Sequence, residues 1–176
     1  LMGIGHENYF YKMKQLNDND IIAIEKLGIE KANSAIKEYL RGWITTFNAP
    51  FKLKERCIEH FGDSTALQEI FNKIIIEGEE KLHSQIEGDS INLIEQLQNG
   101  NIGFFMSENG RMDFCYFLSV QYFRTKKIKS NIINQCGKYT VCDIENIWNV
   151  LSHIFASSLA FSICFNEKFK IILLKN

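Results

Sequence analysis

From Ile147 to Phe165 no residue carries a fixed charge, and this run constrains the chain more than any other feature. Its length approaches the ~20 residues that cross a bilayer. It also holds Asn149, His153 and four serines, Ser152, Ser157, Ser158 and Ser162. Lipid offers such groups no hydrogen-bond partner, so a lipid-facing surface is a poor place for them. The run therefore reads as the buried central helix of a globular domain and not as a membrane span. A helix buried on all sides needs other elements packed around it.

The rest of the chain supplies them as helices. Pro50 is the one proline among 176 residues, a scarcity that favours uninterrupted helices over a loop-rich β fold. Apolar residues make up 45% of the chain, enough for a sizeable core. The expected fold class is all-α (mainly α): a single multi-helix, bundle-like domain over residues 1–176, with about six to eight helices. Asp20 suits the N-cap of a helix over Ile21 to Leu27, and Gly28 suits its C-terminal stop. Ile36, Leu40, Trp43, Ile44 and Phe47 recur at helical spacing in a helix from Lys31 to Phe47. Asn48-Ala49-Pro50 is expected to break it, with Pro50 in the first turn of a new helix from Phe51 to Phe61 that Gly62 ends.

Asp63 or Ser64 is expected to cap a helix from Thr65 to Glu87, which Gly88 ends. Asp89 then caps a shorter helix, Ser90 to Gln98, and Asn99-Gly100 is a turn. Asn109-Gly110 is either a break or the frayed start of the helix that reaches Arg124. The longest helix should run from Asp143 to Phe165. The core is expected around the helices Asp113–Arg124 and Asp143–Phe165, with Thr65–Glu87 packed against them. Phe169 to Leu174 is β-prone, and a minor strand pairing with Asn8 to Met13 is expected.

Net charge is −1, from 20 basic and 21 acidic residues, which does not support a nucleic-acid footprint. Arg124, Lys126, Lys127 and Lys129 form the one basic cluster, read as a solvated helix end or a phosphate-binding patch. The 5 cysteines fit no zinc or redox spacing, so a reducing, cytoplasmic location is the natural reading. No cofactor is expected.

The stretch Phe114 to Lys127, FCYFLSVQYFRTKK, resembles a bacterial family catalogued as domain of unknown function 4238, whose members carry an F-x-x-F-L-x-x-Q-x-x-R-T helix. ENYFYK at Glu7 to Lys12, HSQIE ending at Glu87, and the WNVLSHIFASSLA helix followed by FKIILLKN are similar to it in the same order. The resemblance covers most of the chain. The family's flanking His-x-Val-Pro-like and Thr-Ser-Asp-x-Pro-like segments have no counterpart here, so the sequence reads as a fragment cut at both ends. The resemblance implies a helical fold and no settled activity. By association it implies a mobile-element or host-defence setting.

Gln121 is the most informative single residue. Phe114, Phe117, Leu118 and Gln121 share one helical face, and an amide on an apolar stripe needs partners. Arg124 lies one turn on, with Thr125 beside it. In one reading Gln121, Arg124 and Thr125 line a polar pocket that grips an anion or an amide. In the other, Gln121 ties two helices together and Arg124 pairs with Glu87 or Asp113. Glu80, His83 and Glu87 share a face and are the candidate metal ligands, although a di-iron bundle needs a second E-x-x-H that the chain lacks. His153 is expected to be a core histidine bonded to a neighbour. Two functions follow. One is a non-enzymatic helical interaction or scaffold module for a protein partner or a second copy of itself. The other is a hydrolase, a nuclease-like effector, whose catalytic site uses Glu87, Gln121 and Arg124 together with residues from the expected missing C-terminal flank. The hydrolase reading expects Glu87 and Arg124 to approach each other near a cleft containing Gln121.

Overall fold

The computed structural model describes residues 13–136 and 142–166. Six α-helices occur among them: α1 (Asp18–Ile24), α2 (Lys37–Phe61), α3 (Thr65–Gln98), α4 (Glu108–Phe123), α5 (Lys126–Cys136) and α6 (Ile144–Phe165). The expected all-α fold is what forms, with no strand among the described residues. The expected strand pairing of the two terminal segments falls, apart from Met13, outside them.

The uncharged run becomes α6, capped by Asp143, whose side chain accepts from the Glu145 amide. By length and apolarity α6 could cross a membrane, but α1, α2, α4 and α5 pack around it. Ile147, Leu151 and Ile154 are wholly enclosed. Each such side chain contributes about 1.5–3 kcal/mol when removed from water. They meet Ile24 and Ile29 from the N-terminal segment and Leu40 and Phe47 from α2. On the other side Ala156 packs with Val120 of α4, and Ala160 with Cys115 of α4. These small residues bring α4 and α6 into the most extensive contact among the described helices. α3 packs on α4 and α2.

The longest described helix is α3, at 34 residues, and not α6, at 22, and four further local expectations change. α2 runs unbroken from Lys37 to Phe61 with Pro50 inside it. Pro50 costs a helix interior about 3 kcal/mol. Phe47 and Phe51, on either side, both pack into the main core and offset that cost. α3 likewise runs through Gly88 for 34 residues, because Ile86, Ser90 and Leu93 carry its buried face across the glycine. Gly28 does not stop the first helix. The chain continues through a π-helical turn, Glu25–Ile29, and an added Cβ at Gly28 would lie 2.8 Å from Ile154 Cγ2. The glycine is there for close packing on α6.

Asp20 is not the N-cap of α1. Asn17 is, and Asp20 is the reciprocal partner in a capping box. Asn17 Oδ1 accepts from the Asp20 amide, and Asp20 Oδ2 accepts from the Asn17 amide, both at 3.0 Å. Asn109-Gly110 is the first turn of α4. Ser107 caps it, its hydroxyl accepting from the Gly110 amide at 3.1 Å.

Candidate functional site

The phase of α3 decides which of its polar residues face inward. Phe71, Ile75, Glu79, His83, Ile86, Ser90 and Leu93 form its buried stripe, at spacings of three and four. Glu79 and His83 therefore point to the interior, while Glu80 is exposed. Of the candidate metal ligands only His83 is buried. Glu80 faces solvent, and Glu87 lies at the surface.

His153 on α6 meets the pair from the opposite side. Glu79, His83 and His153 are 3%, 5% and 1% exposed. One donor atom from each can be chosen so that all lie within 4.8 Å of one another. His83 Nε2 is 3.6 Å from Glu79 Oε1. The two imidazoles stack at 5.2 Å between centroids, and Trp43 of α2 stacks on the His153 ring at 4.7 Å. The Trp43 indole N–H donates to Ser157 Oγ at 3.0 Å, which fixes its plane. His153 Nδ1 lies 3.4 Å from the Tyr116 hydroxyl of α4, the neighbour expected of a core histidine. Glu79 Oε2 and His153 Nε2 have no hydrogen-bond partner among the described residues. A buried polar atom left in that state costs roughly 1–3 kcal/mol.

Burial dominates the electrostatics. It raises the Glu79 carboxyl above its ordinary range, against the opposing pull of His83, Lys129 and Arg124. It lowers His153 to about 3, with His83 and Arg124 adding to the effect, so the ring is neutral at pH 7. The Tyr116 phenol is pushed upward by burial as well and stays protonated.

Glu79 and His83 form part of the wall of a cleft of about 510 Å³ between α3, α5, α6 and the end of α4. Arg124, Lys126 and Lys129 also line it, so three of the four residues of the basic cluster face a concavity. Lys129 pairs with Glu145 at 3.4 Å.

Glu87, Gln121 and Arg124 do come together. An Arg124 Nη1 donates to Glu87 Oε1, and Gln121 Nε2 reaches the same oxygen at 3.4 Å. The Arg124 hydrogen bond holds the Glu87 carboxyl below its usual range. Gln121 is half-buried and bridges α4 to α3. Of the three, only Arg124 lines the cleft. Glu87 thus holds the Arg124 guanidinium, and Gln121 braces Glu87.

Sequence reasoning missed Glu79 and gave His153 no role beyond the core. A signal for Glu79 existed: continuing the Phe71–Ile75 register by fours lands on Glu79 and His83. Ile70 and Ile74 supported the adjacent register equally well, and the structure leaves both exposed.

Comparison of the chain with family models, curated proteins and solved structures finds no match, so the resemblance described above rests on its motifs.

Proposed function

We infer that the protein is a hydrolase acting on a small phosphate-bearing substrate in the cleft between α3, α5 and α6. The observation that carries this reading is the buried Glu79–His83–His153 group in and behind the wall of a concavity rimmed by Arg124, Lys126 and Lys129. The volume suits a small ligand. The near-zero net charge argues against a long nucleic acid. In this reading the Glu79–His83–His153 group polarises water. Arg124, held by Glu87, neutralises the charge that develops on the phosphoryl oxygens. The five free thiols agree with a cytoplasmic location, and the family resemblance with a bacterial, defence-associated setting.

Turnover of p-nitrophenyl phosphate, bis(p-nitrophenyl) phosphate and nucleotides by the purified chain tests this. Arg124→Ala should lower kcat/KM by about 10²–10³-fold, the scale of losing one transition-state donor, with an unchanged far-UV spectrum. A folded wild-type chain that turns over none of these esters overturns the reading. A second reading, a helical interaction module, is favoured by the exposed side chains of Leu53, Phe61, Ile70 and Met106. Light scattering that shows a strict monomer at all concentrations, together with no partner recovered from cells, counts against it.

A further inference from the structure

We propose that Glu79, His83 and His153 bind one divalent transition-metal ion of the zinc class at the floor of the cleft. Three observations lead there. First, a carboxylate and two imidazoles converge from two helices on one point in the interior. Two nitrogens and one oxygen are the donor set of a three-protein-ligand catalytic site, with further positions left for water or substrate. Imidazole donors favour zinc, iron or copper over magnesium and calcium, which prefer oxygen alone.

Second, Glu79 Oε2 and His153 Nε2 are buried and have no hydrogen-bond partner among the described residues. An ion satisfies both at once. Apolar packing would have been the cheaper way to fill this space, so the polar groups need a reason. Third, the surroundings match those of a ligating histidine. With Nε2 on an ion, the His153 ring carries its proton on Nδ1, and that N–H points at the Tyr116 hydroxyl 3.4 Å away. Trp43 on the ring face holds the imidazole plane.

The donors must close from 4.8 Å at most to the ~3.4 Å edge of a tetrahedral ion with ~2.1 Å bonds. Rotations of the Glu79 and His83 side chains supply movements of that order. Glu79 and His83 line the cleft while His153 stands behind them, so the remaining positions on the ion open toward Arg124 and Lys129. An ion there would lower the pKa of bound water. The assignment deepens the hydrolase reading of the same cleft, and its test does not use turnover.

The full chain, stripped with a chelator, is reloaded with Zn²⁺ or Co²⁺, and bound metal is counted after gel filtration. One ion per chain is expected. The Co²⁺ form should show visible d–d absorption without a thiolate charge-transfer band, because no cysteine belongs to the cluster. Glu79→Gln and His153→Asn should each weaken binding at least a hundredfold, and Tyr116→Phe about tenfold or more. Glu80→Gln should leave it unchanged. Circular dichroism checks the fold, and if His153→Asn does not fold, the near-isosteric Glu79→Gln decides. A folded wild type that binds no ion, binding that survives Glu79→Gln, or a Co²⁺ spectrum dominated by thiolate overturns the proposal. Stoichiometric metal without phosphoester turnover leaves the proposal standing and removes the hydrolase reading. Turnover by a chain that binds no ion does the reverse.

Discussion

Gly88→Ala should stabilise the protein, and the sign of the effect reports whether α3 is one helix or two. Gly88 sits within α3, has a right-handed backbone and is exposed. A Cβ added there meets nothing within 4 Å. Alanine would introduce no clash, and in a helix interior it is favoured over glycine by about 0.8–1.0 kcal/mol. For a domain of this size 1 kcal/mol raises Tm by about 2–4 °C. Urea denaturation followed by circular dichroism should show a higher midpoint at an unchanged slope. If Gly88 instead ended one helix with a left-handed residue, alanine would be strained and the midpoint would fall. A loss of about 1 kcal/mol therefore refutes a continuous α3. Glu79, His83 and Glu87 would still share the first of the two helices, and only Ser90 and Leu93 would move to the second.

Two further outcomes follow from other contacts. Gly28→Ala should destabilise by about 1–2 kcal/mol, since overpacking against Ile154 and Leu151 outweighs the gain in helix propensity; a midpoint at or above wild type contradicts that packing. Cys142 should resist alkylation at pH 9. Burial and the 2.9 Å contact with Asp20 raise its thiol from the ordinary 9 to about 12. About a thousandth of the sites would then be thiolate, instead of half. The folded value lies above the unfolded one, so this protonated contact contributes stability below pH 9 and loses it as pH rises toward 12. Mapping of iodoacetamide adducts by mass spectrometry checks it, and modification at the rate of an unstructured thiol refutes it.

Hydropathy alone was enough to place α6, since a long uncharged run with scattered polar groups has few homes outside a helical core. A cap was also legible where the residue type matched the job, as at Ser64. Breaks were not. Pro50 and Gly88 are helix breakers by local preference, worth about 3 and 1 kcal/mol. The burial of Phe47, Ile86 and Leu93 on the same helices offsets those amounts.

The candidate site divides the same way. Glu87, Gln121 and Arg124 were found because polar groups one helical turn apart on an aromatic helix demand partners, and the structure joins them. Glu79 lay one residue from the expected Glu80, and the two stripes of isoleucine and phenylalanine on α3 looked alike until a neighbouring helix chose between them. His153 is 70 positions beyond His83 in the chain. Local order carries no information about such a meeting, because it depends on how α6 is rotated against α3 and α2. The sequence by itself determined that helices form and where a central one must lie. Only tertiary packing set which face of each turned inward, and with it which carboxylate and which imidazoles converge.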